Sequence, residues 1–314
     1  MSVYDNVTFC PVSQSYKRIL LPLTYSLVFV LGLTLNGVLL GLMYSRTRTC
    51  SFIYLANLAV ADLLYVLALP LLIVSYALGD IWPFGDVLCK AVRFFFYLNL
   101  HGSVMFLTCI CVHRFLGVCY PVAALRYRTR RVAVMMSGLI WVLVMLEILP
   151  TLIFAHSGFI NNRTVCYDLD QYHIFFPYVM TITVVGFLLP FLVILTCYCT
   201  MMRMLYQSGK NNSHMGKEMR KNAVRTILAV CLMFVLCFVP YHVARTTYLF
   251  LQVYMSKNCT VLYAATICYE IGKPLISLNC CANPLLYFLG SARHRKKLWA
   301  QLFIRQKIHP TVCR

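Results

Sequence analysis

The sequence predicts an all-α membrane protein, a seven-transmembrane helix bundle with a short amphipathic helix after the seventh span, and three observations carry that reading. Of its 314 residues 61% are hydrophobic and 12% charged, a balance that no water-soluble core of this size requires. Seven apolar runs reach the length of about 20 residues that crosses the hydrocarbon layer as a helix. Lys and Arg gather on alternate loops, the asymmetry that orients membrane helices.

The runs lie near 19–45, 52–78, 87–119, 132–155, 175–206, 222–252 and 263–289, which divides the chain into an outer segment 1–18, a bundle 19–289 and an inner helix and tail 290–314. In order, the spans carry Asn36, Asp62, Arg114, Trp141 with Pro150, Pro190 with Tyr198, Pro240, and "NPLLY" from Asn283 to Tyr287. Each span thus carries a polar residue or a proline at a place that lipid does not favour; singly, a proline kinks a membrane helix and an Asn bonds across a helix pair. Arg46, Arg48, Arg126, Arg128, Arg130, Arg131, Lys217, Arg220, Lys221, Arg293, Arg295, Lys296 and Lys297 fall on one side. That side is the cytoplasm, which puts the N-terminus outside and makes a multi-pass plasma-membrane protein. The net charge of +19 therefore meets anionic lipid rather than nucleic acid. No cleavable signal peptide is apparent, since the first apolar run starts late and is long enough to span. In "SARHRKKLWAQLFI" cations alternate with Leu298, Trp299, Leu302 and Phe303 at helical spacing, an amphipathic segment on the inner leaflet.

Of sixteen cysteines, four fall outside: Cys10, Cys89, Cys166 and Cys259. They admit three pairings, and the sequence by itself does not choose. Sequons at Asn6, Asn162 and Asn258 share the outer side and are expected to be glycosylated, whereas Asn211 lies inside and stays bare.

Depth follows from about 1.5 Å of rise per residue. Counted outward from the inner Arg114, Arg225 and Tyr287, residues Arg93, Arg245 and Lys273 all come near the outer mouth, Lys273 slightly deeper. Phe238, His242 and Arg245 follow at spacings of four and three and share a helix face, as do Arg93 and Tyr97. One such cation would be a side chain snorkelling to the headgroups. Three on separate spans, offset only by Asp168, Asp170 and Glu270, make a vestibule for an anion, where Arg grips phosphate as a bidentate fork. Tyr97 and Tyr269 add aromatic faces and hydroxyls, a combination that suits a polyphosphate bearing a flat base.

The ordered intruders from Asn36 to "NPLLY" resemble those of the rhodopsin-like G-protein-coupled receptors over nearly the whole chain. The resemblance implies a Cys89–Cys166 disulfide and coupling of a heterotrimeric G protein at the inner face, with Arg114, Phe238, Pro240, Asn283, Tyr287 and Tyr198 as contact and switch positions. It also implies an allosteric sodium ion at Asp62, Ser103, Asn279 and Asn283. Two departures stand out: His113-Arg114-Phe115 lacks the family's usual acid before the Arg, and Phe238 replaces its usual Trp.

"DLLYVLALPLLI", "NRTVCYDL", "FVPYHVARTTY" and the third span are similar to the metabotropic purinoceptors, receptors for extracellular nucleotides, and especially to their uracil-nucleotide branch. That likeness implies phosphate binding by Arg93, His242, Arg245 and Lys273, a Cys10–Cys259 disulfide, and signalling through phospholipase C and calcium. Lys273 stands where that branch usually has Arg, and Asn283 where it usually has Asp. The alternative is a receptor of the same fold for another anion: a dicarboxylate, a lysophospholipid or a leukotriene. A transporter would show paired halves or matched broken helices. An enzyme would need a nucleophile beside a base, whereas His101 and Ser103 are two residues apart and so on different faces.

Overall fold

The computed structural model describes residues 17–44, 50–160, 163–167, 172–207, 214–254 and 259–289, with the side chains at 44, 123, 160, 172–175, 205–206, 214–223 and 286–289 outside the description. Seven helices in it are long and apolar enough to cross a membrane: Lys17–Met43, Cys50–Ala77, Gly85–Cys119, Arg130–Phe154, Phe176–Met204, Val224–Tyr254 and Cys259–Leu285. The third is the axis of the bundle, with 72% of its apolar window buried against 28% for the first and fourth. Leu23, Leu67 and Val142 point outward, while Asn36, Asp62, Asn99 and Ser103 are buried. Polar groups inside and leucines outside are what a lipid solvent selects.

The helices begin earlier than their apolar runs, because a helix continues through the interface after the hydrocarbon ends. The sixth starts at His214, eight residues before the run at 222, and its added turns, "HMGKEMRK", are charged. The expected amphipathic helix after the seventh span lies outside the described residues.

Two local distortions shape the bundle. The fifth span widens into a π turn at Val184–Leu188 and the sixth at Phe234–Phe238. Each turn ends two residues before a proline, Pro190 or Pro240. A proline has no N–H to donate and its ring collides with the carbonyl four residues back, which lies inside the turn. Widening the turn relieves that collision without breaking the helix. The seventh span breaks at Leu278, between Cys259–Ser277 and Asn279–Leu289.

Among the described residues, one element departs from the all-α expectation. His156–Ile160 (β1) and Arg163–Tyr167 (β2) form an antiparallel hairpin, His156 opposite Tyr167 and Ile160 opposite Arg163. Two five-residue strands are marginal alone, and this pair is pinned to the helices. Cys166 is bonded to Cys89 at the head of the third span, Ser157 N–H donates to Asp86 Oδ1 at 2.7 Å, and Trp82 N–H donates to Thr164 O at 2.8 Å. The hairpin thus lies against the outer end of the third span. Cys259 is also disulfide-bonded; Cys10 lies outside the described residues, as do Asn6, Asn162, Asn258, Asp168 and Asp170.

Candidate functional site

At the outer end cations approach from four spans, Lys17, Arg245 and Lys273 buried and Arg93 half-buried. On the sixth, Arg245 is 4% exposed; its Nη2 donates to Tyr97 Oη at 3.1 Å and its guanidinium carbon lies 4.8 Å from that ring's centre. Third and sixth spans are therefore clamped together at this end. Arg93, one turn above Tyr97, donates to the Cys166 carbonyl at 2.9 Å, which ties the third span to the hairpin. On the seventh, Lys273 Nζ stands 3.0 Å from Glu270 Oε1 and 4.6 Å from the centre of the Tyr269 ring.

The fourth cation is one that sequence reasoning missed. Lys17, which the sequence places beside the membrane at the head of the first span, is buried and its Nζ lies 3.3 Å from the same Glu270 oxygen. Glu270 thus serves two ammoniums with one oxygen, while its Oε2 is buried with no hydrogen-bond partner. Asp168 and Asp170, expected to share the neutralising role, fall outside the described residues.

Aromatic rings separate these cations. Phe96 meets Tyr65, Tyr97 and Tyr241 edge-on, and Tyr269 stacks on Tyr248 with centroids 5.2 Å apart. His242 does share the buried face of Phe238 and Arg245, but its ring lies flat on Phe187 at 4.0 Å and neither nitrogen has a hydrogen-bond partner. Phe187 continues through Phe191 and Phe234 to Phe238, with Phe234 and Phe238 at 4.9 Å. This column joins both π turns, so a shift at His242 has a packed route to the inner half of the sixth span.

Beneath it, the Asp62 carboxylate accepts from Asn99 Nδ2 at 2.7 Å, from Asn283 Nδ2 at 2.9 and 3.1 Å, and from Ser103 Oγ at 3.5 Å. Asn99, absent from the expected set, makes the shortest of these bonds. Asn279 does not reach the carboxylate; both its amide atoms are buried without partners, as is Asn283 Oδ1. These amide oxygens, with Asp62 and Ser103, are a hard oxygen set that fits a small cation. Asn283→Ala removes two bonds to a charged group, so it should destabilise the protein by about 2–3 kcal/mol. Ser103→Ala should cost well under that, and thermal unfolding of the detergent-purified variants compares them.

At the inner end, Arg128 Nε donates to His113 Nε2 at 3.1 Å, so His113 must be protonated at Nδ1, which contacts Ser51 Oγ at 3.1 Å. The residue that replaces the usual acid is therefore a neutral acceptor for a loop arginine, and Arg114 Nε is buried without a partner. Tyr198 and Pro240 are half-buried, and the side chain of Tyr287 lies outside the description.

Comparison with known proteins adds a second line. Residues 37–287 match the family described as 7 transmembrane receptor (rhodopsin family). The chain is 43% identical over 293 residues to purinoceptor 3 of Gallus gallus, covering 91% of this chain and 89% of that one. It is 43% identical to purinoceptor 6 of Rattus norvegicus over 92% of this chain and 90% of the relative. With purinoceptor 2 of Homo sapiens it shares 41% over 90% of this chain and 76% of the other.

Proposed function

The chain belongs to the rhodopsin family of seven-transmembrane receptors, among the purinoceptors, and on that premise we propose that it is a plasma-membrane receptor for an extracellular nucleotide of the uracil branch. It is a receptor rather than an enzyme. The observation that carries the ligand class is the convergence of buried cations from separate spans at one end of the bundle, Arg245 clamped on Tyr97 and Lys273 held by Glu270. An anion that satisfies such groups is favoured by charge and by the low dielectric around them.

In this reading Arg93, Arg245 and Lys273 hold the phosphates, His242 contributes a hydrogen bond, and Tyr97 and Tyr269 offer ring faces to the base. Binding draws the third, sixth and seventh spans together at the outer end. The ligand activates only by preferring the inner-open state. Pro240 and Phe238 form the hinge region, and Arg114, Asn283, Tyr287 and Tyr198 carry the change to a heterotrimeric G protein, phospholipase C and calcium. The N-terminus is extracellular, Cys10 pairs with Cys259, the three outer sequons carry glycans, and the tail helix lies on inner-leaflet lipid. A sodium ion held by Asp62, Ser103, Asn279 and Asn283 would supply the counter-charge that the neutral amides of Asn99 and Asn283 do not.

The test is intracellular calcium in cells expressing the receptor, with purified UDP, UTP, ADP and ATP applied under control of degrading enzymes. Uracil nucleotides are expected to act at the lowest concentrations. Silence to all four, in both calcium and cyclic AMP, from a receptor shown to be at the surface would overturn the reading in favour of another anion.

A further inference from the structure

One cluster inside the membrane has no part in that function. Glu147 of the fourth span faces the bundle with its side chain 12% exposed, and its Oε2 lies 3.6 Å from Nδ1 of the buried His101 on the third span. Glu147 Oε1 has no hydrogen-bond partner. The space they share exists because residue 186 is a glycine in the fifth span's π turn. A Cβ there would sit on Glu147 Oε1 and 2.8 Å from His101 Nδ1. Tyr178 of the fifth span fixes the backbone beside it, donating to the Glu147 carbonyl at 2.6 Å. The π turn, the glycine and the pair are thus one arrangement built by three spans.

We propose that His101 and Glu147 form a proton-binding site inside the bundle, one turn beneath the Arg245–Tyr97 clamp, whose occupancy sets how tightly the receptor holds its anionic ligand. Among the described residues, the titratable and charged groups facing the pair are Tyr97 on the same helix, with its ring centroid 6.3 Å from that of His101, Tyr178 on the fifth span, and His242 and Arg245 on the sixth. Asp62 approaches the third span through Asn99 and Ser103, which lie about 160° around the helix from His101.

Charge counting then gives the direction. Without a proton the pair carries −1, an uncompensated carboxylate in a medium that penalises it. With one shared proton the pair is neutral, as imidazolium with carboxylate or imidazole with carboxylic acid. A second proton would make it positive beside Arg245, which opposes that step. The site therefore alternates between empty and singly filled. Empty, its negative charge opposes the approach of an anion to Arg245. Filled, it leaves the Arg245 charge to the ligand, and by linkage the bound anion strengthens proton binding by the same factor.

The anion arm rests on the nucleotide reading, so two measurements separate them. In the first, UDP concentration–response curves are taken from about pH 5 to 8, the window of an imidazole, for wild type and Glu147→Gln. The amide mimics the filled site, so its potency should match wild type at acid pH and exceed it by about five-fold or more at alkaline pH. Titration of UDP itself is common to both and cancels in the ratio. A ratio constant with pH, in receptors matched for surface amount, overturns the coupling. The second uses no nucleotide: the thermal midpoint of purified receptor against pH. Wild type should lose stability relative to Glu147→Gln as pH rises, and His101→Asn should displace that dependence along the pH axis. A difference that does not change with pH overturns the proton site, whatever ligand the receptor takes. If UDP is inert, the nucleotide reading fails and the second measurement still decides this one.

Discussion

Arg245→Ala will raise the nucleotide concentration needed for half-maximal calcium release by about 100-fold, the largest loss expected from any single outer side chain. The guanidinium is buried and already ordered by Tyr97, through the hydroxyl at 3.1 Å and the ring face at 4.8 Å. A phosphate docking on it therefore meets two parallel donors whose ordering entropy is spent. Charge-assisted bonds contribute about 1.5–3 kcal/mol each, and about 1.4 kcal/mol is a factor of ten. Arg245→Lys retains the charge but loses the fork and the stacking, so its loss should be intermediate, about ten-fold. Tyr97→Phe removes only the hydroxyl and should shift potency by a few-fold. The maximal response should survive in all three, since the inner face is untouched. If Arg245→Ala kept wild-type potency while Tyr97→Phe lost it, the guanidinium would be a brace for the tyrosine and not a phosphate ligand.

How far this could be read from the chain follows from what each signal measures. Hydropathy located every span, because lipid imposes one requirement on some twenty consecutive residues. It put the start of the sixth run at 222, beside Val224 of the membrane-length stretch, but could not see the helix reaching back to His214, because it detects hydrocarbon and not helix. The hairpin escaped because its two strands are five residues long and owe their order to Cys89, Asp86 and Trp82, contacts distant in sequence. Helical spacing gave the shared face of Phe238, His242 and Arg245 on a regular pitch, yet the π turn that ends at Phe238 is a local departure from that pitch. The π turns themselves were not foreseen, although a proline follows each by two residues and was the one feature of the chain that could have marked them. Lys17 and Glu147 show the limit of reading each helix alone. Lys17 looks like a flanking anchor until the seventh span brings Glu270 to it, and Glu147 acquires a neighbour only because His101 and Gly186 come from two other helices. Asn99 was equally silent: an amide in an apolar helix does not say which carboxylate it faces.

The second large effect should run in the opposite direction from the first. Glu270→Gln is expected to weaken the ligand-free receptor by about 3 kcal/mol and yet to increase nucleotide potency about ten-fold. The carboxylate oxygen lies 3.0 Å from Lys273 and 3.3 Å from Lys17, all three side chains being buried. Its removal deprives two ammoniums of a counter-charge at once, which is where breaking a buried pair is costly. A bound phosphate would restore that charge. In wild type the phosphate must displace a carboxylate; in the variant no Glu270 carboxylate competes with it for Lys273 and Lys17. The same substitution thus lowers the midpoint of thermal unfolding without ligand and enlarges the rise in midpoint on adding UDP, by mass action. Lys17→Met separates the roles. With one cation gone, Glu270 is committed to Lys273, and potency should fall although Lys17 was in no expected ligand set. Should Glu270→Gln instead lower potency while the free receptor keeps its stability, Glu270 would be contacting the ligand, as a carboxylate does with a ribose hydroxyl, and the two lysines would be its supports. Potency and unfolding measured on one preparation distinguish the cases, because only displacement makes them move in opposite directions.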